Sequence, residues 1–339
     1  MALRFGIRFN DAFGPVREVV ELAQLAEQAG FHVAWYCHDL FLRDAWVTLT
    51  AMAAATTRIQ VGTCIVNPFT DNPAEIAMHA ATLQEYSSGR FVLGIGPGEP
   101  RFLELVGRRQ ARPLTGLREA VALLRSLLSG EATPVNGNVF PGWQIGARLP
   151  SLPSTPIPIY IGGQGPMVTR LMGEVADGAL PLIFPPEYLP HTMALIGEGA
   201  AAANRAMSAI GIAPCFWFSL GDNRTDALAA TRRMIASYGW YLRDEMLGAA
   251  GLTQADLVPL GARWAAGDHA AAEAMVAGRM FDLAIAGTVD DVLPRLAWLV
   301  SQGVTHVNFG PPLGPDPRRA IELLGQRVLP ALKALAVGS

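Results

Sequence analysis

Short apolar runs alternate with stretches of helical spacing along most of the chain. Eight such runs lie at residues 3–9, 32–37, 58–66, 91–96, 157–161, 178–184, 211–220 and 304–309. The stretches between them repeat apolar residues every three or four positions, as from Val16 to Ala26, which lie between Pro15 and Gly30. This alternation is typical of a parallel sheet covered by helices, so we predict an α/β fold. Periodicity alone leaves an open doubly wound sheet and a closed TIM (β/α)8 barrel as alternatives.

The length of the chain fits one barrel with insertions. A (β/α)8 barrel takes about 250 residues, and this chain has 339. Residues 130–158 are rich in Gly and Pro and predict an excursion or a small hairpin. Residues 225–301 are mainly helical and longer than one crossover helix requires. We therefore predict a single domain, residues 1–339, with insertions at about 130–156 and 240–280.

Charge and cysteine content exclude several classes of protein. The 26 Lys and Arg residues against 29 Asp and Glu residues give a net charge of −3 without a basic run, so we expect no nucleic-acid partner. No apolar stretch reaches the roughly 18–20 residues that span a bilayer, and the start of the chain lacks the apolar run of a signal peptide. We therefore expect no membrane partner and a cytoplasmic location. Cys37, Cys64 and Cys215 stand far apart without a C-x-x-C pattern, so we expect neither a disulfide framework nor a metal site.

Two predicted strands end in residues that can transfer protons. In a barrel, the functional site is built from the loops that follow the C-terminal ends of the strands. His38 and Asp39 follow the second strand and could act as proton donor and orienting group. The alternative is a hydrogen-bonded loop histidine beside a helix-capping aspartate. Glu99 follows a glycine-rich turn after the fourth strand. The glycines of this turn do not fit the G-x-G-x-x-G pattern of dinucleotide-binding loops. An ordinary turn without a functional role is the alternative interpretation.

Small residues follow the third and fifth predicted strands. Thr63, Cys64 and Ile65 lie at the end of the third strand, where small side chains let a flat ring approach the backbone. A buried strand end with a proline turn is the alternative. After the fifth strand, residues 162–165 read Gly-Gly-Gln-Gly and precede Pro166, which is suited to the first position of a helix. Free N–H groups at a helix N-terminus bind anions, so a phosphate is the expected ligand. The alternative interpretation is an ordinary glycine-rich turn that binds no ligand.

Other side chains could complete such a pocket. Lys333 is the only lysine, so a phosphate would rely on backbone amides, hydroxyls and arginines such as Arg170. The aromatic residues 216–218 and Tyr238 are candidates for the wall of a pocket for a flat substrate, with core packing as the alternative.

The motifs at these strand ends resemble those of the luciferase-like monooxygenase superfamily, and within it the deazaflavin-dependent branch that includes methylenetetrahydromethanopterin reductase. The motifs that carry the resemblance are LRFGIRF, HDLFLRDAWVTL, RIQVGTCIVNPFTDNP, RFVLGIGPGE, IPIYIGGQGP, VADGA, AGTVDDV and GPPLGPDP. They extend over nearly the whole chain. The resemblance implies a TIM-barrel-like fold with insertions, usually a homodimer. It also implies that the ring of coenzyme F420, or of FMN as the alternative, lies at the C-terminal mouth.

The resemblance further implies where the cofactor is held. A non-prolyl cis peptide that backs the ring maps to Cys64–Ile65. The residues implied to contact the cofactor are Thr63, Cys64 and Ile65 at the ring face, Gly96, Pro97 and Gly98 along its rim, and Gly162, Gly163, Gln164 and Gly165 at the phosphate. His38, Asp39 and Glu99 would lie near the reactive edge of the ring.

The implied function is an F420-dependent oxidoreductase that moves a hydride between C5 of the deazaflavin and a small organic substrate. His38 would transfer the proton, with Asp39 orienting it and Glu99 in reserve. An FMN-dependent monooxygenase and a catalytically silent flavin-binding barrel are the alternatives. The archaeal methanopterin reductases carry Glu at the position of Arg8, so the resemblance implies that a catalytic or substrate-orienting carboxylate of those enzymes is missing here.

Overall fold

A computed structural model of the chain describes residues 2–110, 112–131, 136–144 and 146–337. In these residues ten strands form one parallel sheet: β1 (Arg4–Phe9), β2 (Val33–Tyr36), β3 (Gln60–Thr63), β4 (Phe91–Ile95), β5 (Ile159–Gly163), β6 (Gly178–Pro181), β7 (Gly211–Ile212), β8 (Cys215–Leu220), β9 (Ala284–Gly287) and β10 (His306–Leu313). The helices are α1 (Val16–Gln28), α2 (Ala45–Ala55), α3 (Pro73–Tyr86), α4 (Pro100–Leu105), α5 (Pro113–Ser129), α6 (Pro166–Val175), α7 (Leu189–Ala202), α8 (Arg224–Tyr238), α9 (Asp244–Ala249), α10 (Gln254–Ala265), α11 (His269–Ala274), α12 (Val289–Ser301), α13 (Pro317–Leu323) and α14 (Leu329–Val337). Over the described ranges, no helix is both long enough and apolar enough to cross a membrane.

The sheet closes into a barrel. Strands β1 to β6 pair in chain order, and β1 also pairs with β10. The stretch 211–220 completes the ring, because β7 pairs with β6 while β8 pairs with β10. A bridge between Leu182 and Cys215 links β6 to β8 directly. The predicted α/β barrel is confirmed, and the open doubly wound sheet is excluded.

The eight predicted apolar runs all become strands, with two differences in detail. The run 211–220 divides into β7 and β8 around Pro214, which has no backbone N–H to donate to a neighbouring strand. Strand β9, with the sequence Ala-Ile-Ala-Gly, was not predicted within the mainly helical segment 225–301, and it pairs with β8 beside the barrel. Four residues are too few to display a strand period among helices.

The segment between α5 and β5 is irregular. In its described residues there is no strand before Ile159, so the hairpin suggested for residues 130–158 is wrong there; residues 132–135 and 145 lie outside the described ranges. The backbone N–H groups of Asn138, Val139 and Phe140 donate to the Glu119 carboxylate of α5 at 2.7–3.0 Å. A side chain of the preceding helix thus replaces the strand partner that these amides would otherwise need.

Alternation along the strands decides which residues reach the site. On β1, Phe5, Ile7 and Phe9 pack outward in the core shared with the helices. A separate buried cluster fills the barrel interior with Val33, Trp35, Val92, Tyr160, Leu180, Ala213 and Cys215. Since successive side chains of a strand point to opposite faces, Gly6 and Arg8 face that interior. The lower barrel is therefore filled with side chains, as in other (β/α)8 barrels.

Candidate functional site

A cavity of about 810 Å³ occupies the C-terminal end of the barrel. Ligand pockets are commonly of this size. The predicted site residues that line it are His38, Asp39, Cys64, Ile65, Pro97, Gly98, Glu99, Gly162, Gly163, Gln164 and Gly165. Residues that lie far apart in the sequence therefore share one cavity. Thr63 and Gly96 were also predicted to contact a ligand, but the structure places them elsewhere.

The floor of the cavity is a backbone bulge at the end of β3. The peptide bond Cys64–Ile65 is cis, which confirms the prediction for this position. A Cβ atom added to Gly162 would lie 2.6 Å from Cγ2 of Ile65, and one added to Gly96 would lie 2.9 Å from its Cδ1. These two glycines make room for the Ile65 side chain. Gly96 thus supports the bulge from behind, and its assignment to the rim of the ring is wrong.

Thr63 lies beneath the bulge and has no exposed surface. Its hydroxyl donates to the Gly94 carbonyl and accepts from the Gly94 N–H, both at 2.8 Å. Both hydrogen-bonding functions of the side chain are used in joining β3 to β4. The assignment of Thr63 to the ring face is therefore wrong, and the residue fixes the strand that presents Cys64.

Unpartnered backbone amides follow β5. Among the described residues, no protein acceptor lies within hydrogen-bonding distance of the N–H groups of Gln164, Gly165, Met167 and Val168. Helix α6 begins at Pro166, so its N-terminal amides point into the cavity mouth. Gly165 has a φ of +104°, a conformation that side-chain-bearing residues rarely adopt. These features are typical of anion sites at helix N-termini.

The arginine at this loop is not the one that the sequence suggested. Arg170 lies on α6, pairs with Glu198 at 2.7 Å, and does not line the cavity. Arg243 lines the cavity, and its Nη1 lies 3.3 Å from where a Cβ of Gly165 would be. Arg243 belongs to the helical segment between β8 and β10, whose packing the sequence pattern could not place. Arg170 therefore lies outside the cavity, and Arg243 is the arginine that lies beside the β5 loop.

The carboxylates of the site differ in their surroundings. Burial raises the pKa of Asp39 to about 6, with a further contribution from the charge of Glu99 and an opposing one from Arg101. Glu99 accepts a hydrogen bond from Nε of Arg101 at 3.0 Å and caps α4. Asp39 is thus the group whose protonation changes near neutral pH, whereas Glu99 is held in an ion pair.

His38 lines the cavity, but Asp39 does not orient it. The Nδ1 atom of His38 is buried and has no hydrogen-bond partner in the part of the chain that the structure describes. No hydrogen bond joins the two neighbouring side chains. The predicted orienting contact is therefore absent, and each side chain faces the cavity on its own.

Three aromatic rings form the wall opposite the small residues. Phe184 stacks on Trp217 with 4.3 Å between ring centroids, and Tyr238 meets both rings edge-on at 6.4 and 6.1 Å. All three line the cavity. Phe216 and Phe218 point to the outer face of β8 and are fully buried there. Of the predicted aromatic residues, Trp217 and Tyr238 form a pocket wall, and the other two are core.

Arg8 lines the cavity and was not among the predicted catalytic or cofactor-binding residues, although the family resemblance marked its position. It is 5% exposed and lies at the C-terminal end of β1. The sulfur groups of Cys37, Cys64 and Cys215 contribute to its electrostatic surroundings, so the three cysteines of the chain gather around it. The signal was present in the alternation of RFGIRF, because outward Phe5, Ile7 and Phe9 require Arg8 to point inward.

Comparison with known proteins gives a consistent result. The family model for luciferase-like monooxygenase matches residues 4–306. The 5,10-methylenetetrahydromethanopterin reductase of Methanolobus tindarius is 33% identical over 96% of this chain and 100% of its own length. The F420-dependent glucose-6-phosphate dehydrogenase of Rhodococcus erythropolis is 30% identical over 98% of each chain. The solved structure of the coenzyme F420 dependent tetrahydromethanopterin reductase from Methanopyrus kandleri superposes with a TM-score of 0.91 at 29% identity, over 98% of this chain and 100% of that one. This chain belongs to the luciferase-like monooxygenase family, as its sequence motifs predicted.

Proposed function

We propose that this chain is an F420-dependent oxidoreductase that moves a hydride between C5 of the deazaflavin and a small organic substrate. One observation supports this most: an anion site at the β5 loop and a glycine-backed bulge at Cys64–Ile65 line the same cavity. A phosphorylated planar cofactor needs both features at once. Relatives named for F420 dependence match the chain over nearly its full length.

The residues present fit such a cofactor. The amides of Gln164 and Gly165, with Arg243, would hold its phosphate. The backbone at Cys64–Ile65 would support the ring, and the cavity of about 810 Å³ leaves room between this bulge and the aromatic wall. When bound, the deazaflavin supplies or accepts the hydride.

The chain supplies orientation and a proton. A hydride transfer to or from a carbonyl or imine carbon requires a proton to move at the neighbouring heteroatom. Asp39 lines the cavity and has a pKa of about 6, so it can hold or accept that proton near neutral pH. We assign this role to Asp39, with His38 as the alternative, whereas the sequence analysis gave it to His38, with Asp39 orienting and Glu99 in reserve. Trp217 and Tyr238 would pack against a flat substrate and keep water away.

Titration of the purified protein with F420 and, separately, with FMN tests the proposed function. Fluorescence quenching reports binding of each cofactor. We expect saturable quenching with F420 and a Kd for FMN at least about tenfold weaker. Tight FMN binding without a response to F420 would favour the monooxygenase alternative. Reduction of bound F420 by a donor substrate would exclude a catalytically silent barrel.

Replacing Arg243 with Ala should weaken F420 binding by roughly 10- to 100-fold, because hydrogen bonds to charged groups contribute about 1.5–3 kcal/mol each. The matched control is Arg170→Ala, which removes an exposed pair with Glu198 that lies outside the cavity. Such surface pairs contribute little, so this variant should bind F420 as the wild type does. Isothermal titration calorimetry measures both Kd values. Equal affinities of Arg243→Ala and the wild type would remove Arg243 from the phosphate site.

We propose that the chain forms a homodimer through the surface of α2 to α4. Of the thirteen large hydrophobic residues exposed in the described ranges, seven fall within residues 41–106: Phe41, Leu42, Val47, Met78, Tyr86, Leu105 and Val106. A concentration of apolar residues on a surface marks an interaction site. We expect sedimentation equilibrium to give twice the chain mass, and Val47→Glu combined with Met78→Glu to reduce it. A wild-type chain that sediments as a monomer would contradict this proposal.

A further inference from the structure

The guanidinium of Arg8 lies at the floor of the cavity, and none of the described residues gives it an oxygen acceptor. The residue is 5% exposed, and its Nε atom is buried with no hydrogen-bond acceptor in the described chain. The strongest electrostatic contributions from neighbouring groups come from the sulfur groups of Cys37, Cys64 and Cys215. Thiols are weak hydrogen-bond acceptors, so they do not satisfy a guanidinium.

Another arginine of the same barrel shows how this chain satisfies a structural guanidinium. Arg90 donates from Nε to the Ser87 carbonyl at 2.8 Å, from Nη1 to the Ile59 carbonyl at 2.8 Å and from Nη2 to the Ala53 carbonyl at 2.9 Å. Arg90 thus joins β4 to the surrounding loops, and each of its three guanidinium nitrogens donates a hydrogen bond to a carbonyl oxygen. Arg8 is more deeply buried and has no comparable set of acceptors. A buried charge is costly unless it is paired and hydrogen-bonded, so Arg8 calls for an acceptor that the described chain does not supply.

The neighbouring strand β10 leaves room for the guanidinium of Arg8 at the cavity. A Cβ atom added to Gly310 of β10 would lie 2.7 Å from Nη2 of Arg8 and 2.5 Å from the Phe216 carbonyl. Glycine at this position therefore makes room for the guanidinium. The same floor carries Cys64, the first residue of the cis bulge, so Arg8 lies beside the surface proposed to support the cofactor ring.

We propose that Arg8 binds an anionic oxygen group of the substrate, either a carboxylate or an oxygen that becomes negative as the hydride is transferred. This proposal rests on the proposed function, because it assigns the substrate class of that same site. A guanidinium fits a carboxylate with two parallel hydrogen bonds, which fixes position as well as charge. An oxygen of the coenzyme itself has the same chemistry, and the experiment separates the two sources.

The competing explanation is that Arg8 serves only to hold Cys215 as a thiolate. Sγ of Cys64 and Sγ of Cys215 lie 3.9 Å apart. The hydrogen bond from Cys64 lowers the pKa of Cys215, against the effect of burial and together with the charge of Arg8. In that case a carboxylate would compete poorly with the thiolate in the wild type. A Cys215→Ala variant tests this explanation directly.

The test compares acetate with its neutral analogue acetamide by ligand-observed NMR titration, on coenzyme-free and on F420-loaded protein. We expect the wild type to bind acetate at least about tenfold more tightly than acetamide. Arg8→Met should lose this preference, and Arg8→Lys should keep part of it. The matched control is Arg4→Met, which removes the arginine at the other end of β1, bonded to Gln60 and outside the cavity. It should keep the full preference.

Three results would overturn the proposal. The first is a wild type that does not distinguish acetate from acetamide. The second is a preference that appears only in Cys215→Ala, which would assign Arg8 to the thiolate. The third is an Arg8→Met variant that loses F420 affinity but keeps the acetate preference, which would assign Arg8 to the coenzyme. If F420 failed to bind the wild type, the proposed function would fail, and the coenzyme-free titrations would still decide whether Arg8 binds anions.

Discussion

Asp39→Asn is expected to lower the turnover of F420-dependent hydride transfer by about 10²- to 10⁴-fold, the usual contribution of a positioned acid or base. The substitution keeps the shape of the side chain and removes its proton transfer. Because Asp39 follows β2 whereas the proposed phosphate site follows β5, the Kd for F420 should stay within about twofold of the wild-type value. Single-turnover kinetics of the bound coenzyme, together with the titration, separate the two effects.

The same residue sets the expected pH dependence. Because burial raises the pKa of Asp39 to about 6, the carboxyl is protonated below this pH and charged above it. Substrate reduction needs the acid, so its rate should fall as pH rises through about 6; substrate oxidation needs the base, so its rate should fall as pH drops through the same range. Glu99→Gln removes a negative charge that raises the pKa of Asp39, so the pH at which the rate changes should move to a lower value. If Asp39→Asn kept full turnover and the same pH dependence of the rate, proton transfer would be assigned to His38.

Gly162→Ala is expected to weaken F420 binding by roughly 10- to 100-fold. The added methyl would lie 2.6 Å from Cγ2 of Ile65, so the bulge must shift. Overpacking of this kind costs about 1–3 kcal/mol, and here the displaced element is the proposed support of the ring. Fluorescence titration with F420 measures the change.

Two further variants show whether the bulge is the cause. Ile65→Ala in the Gly162→Ala background removes the contacting methyl and should recover part of the affinity, a coupling that a double-mutant cycle quantifies. Gly197→Ala is the control, because nothing lies within 4 Å of the added methyl in α7. It should leave the Kd unchanged. Additive effects of the changes at Gly162 and Ile65 would mean that the bulge does not position the cofactor.

The barrel could be predicted because its signal is periodic. Each of the eight runs is long enough to show a strand, and each intervening stretch shows helical spacing. Closure of the barrel came from the family resemblance, since an open sheet has the same pattern. Strand β9 could not be predicted, because its four residues lie within a helical segment and take their conformation from pairing with β8.

The strand ends could be predicted as the site because parallel strands of a barrel all end on one side. That argument places His38, Asp39 and the β5 loop in one cavity, but it does not say which way each side chain points. Thr63 turns into the sheet, and Arg170 lies on the outer part of α6, so both were misassigned. Arg243 reaches the β5 loop from a distant helical segment, a contact that no local pattern encodes.

A crystal structure of the protein with F420 tests the central claim most directly. We expect the phosphate within hydrogen-bonding distance of the N–H groups of Gln164 and Gly165, close to Arg243, with the deazaflavin ring against the Cys64–Ile65 peptide. Coenzyme bound outside this cavity, or a cavity that protein side chains fill in the presence of saturating F420, would contradict the account.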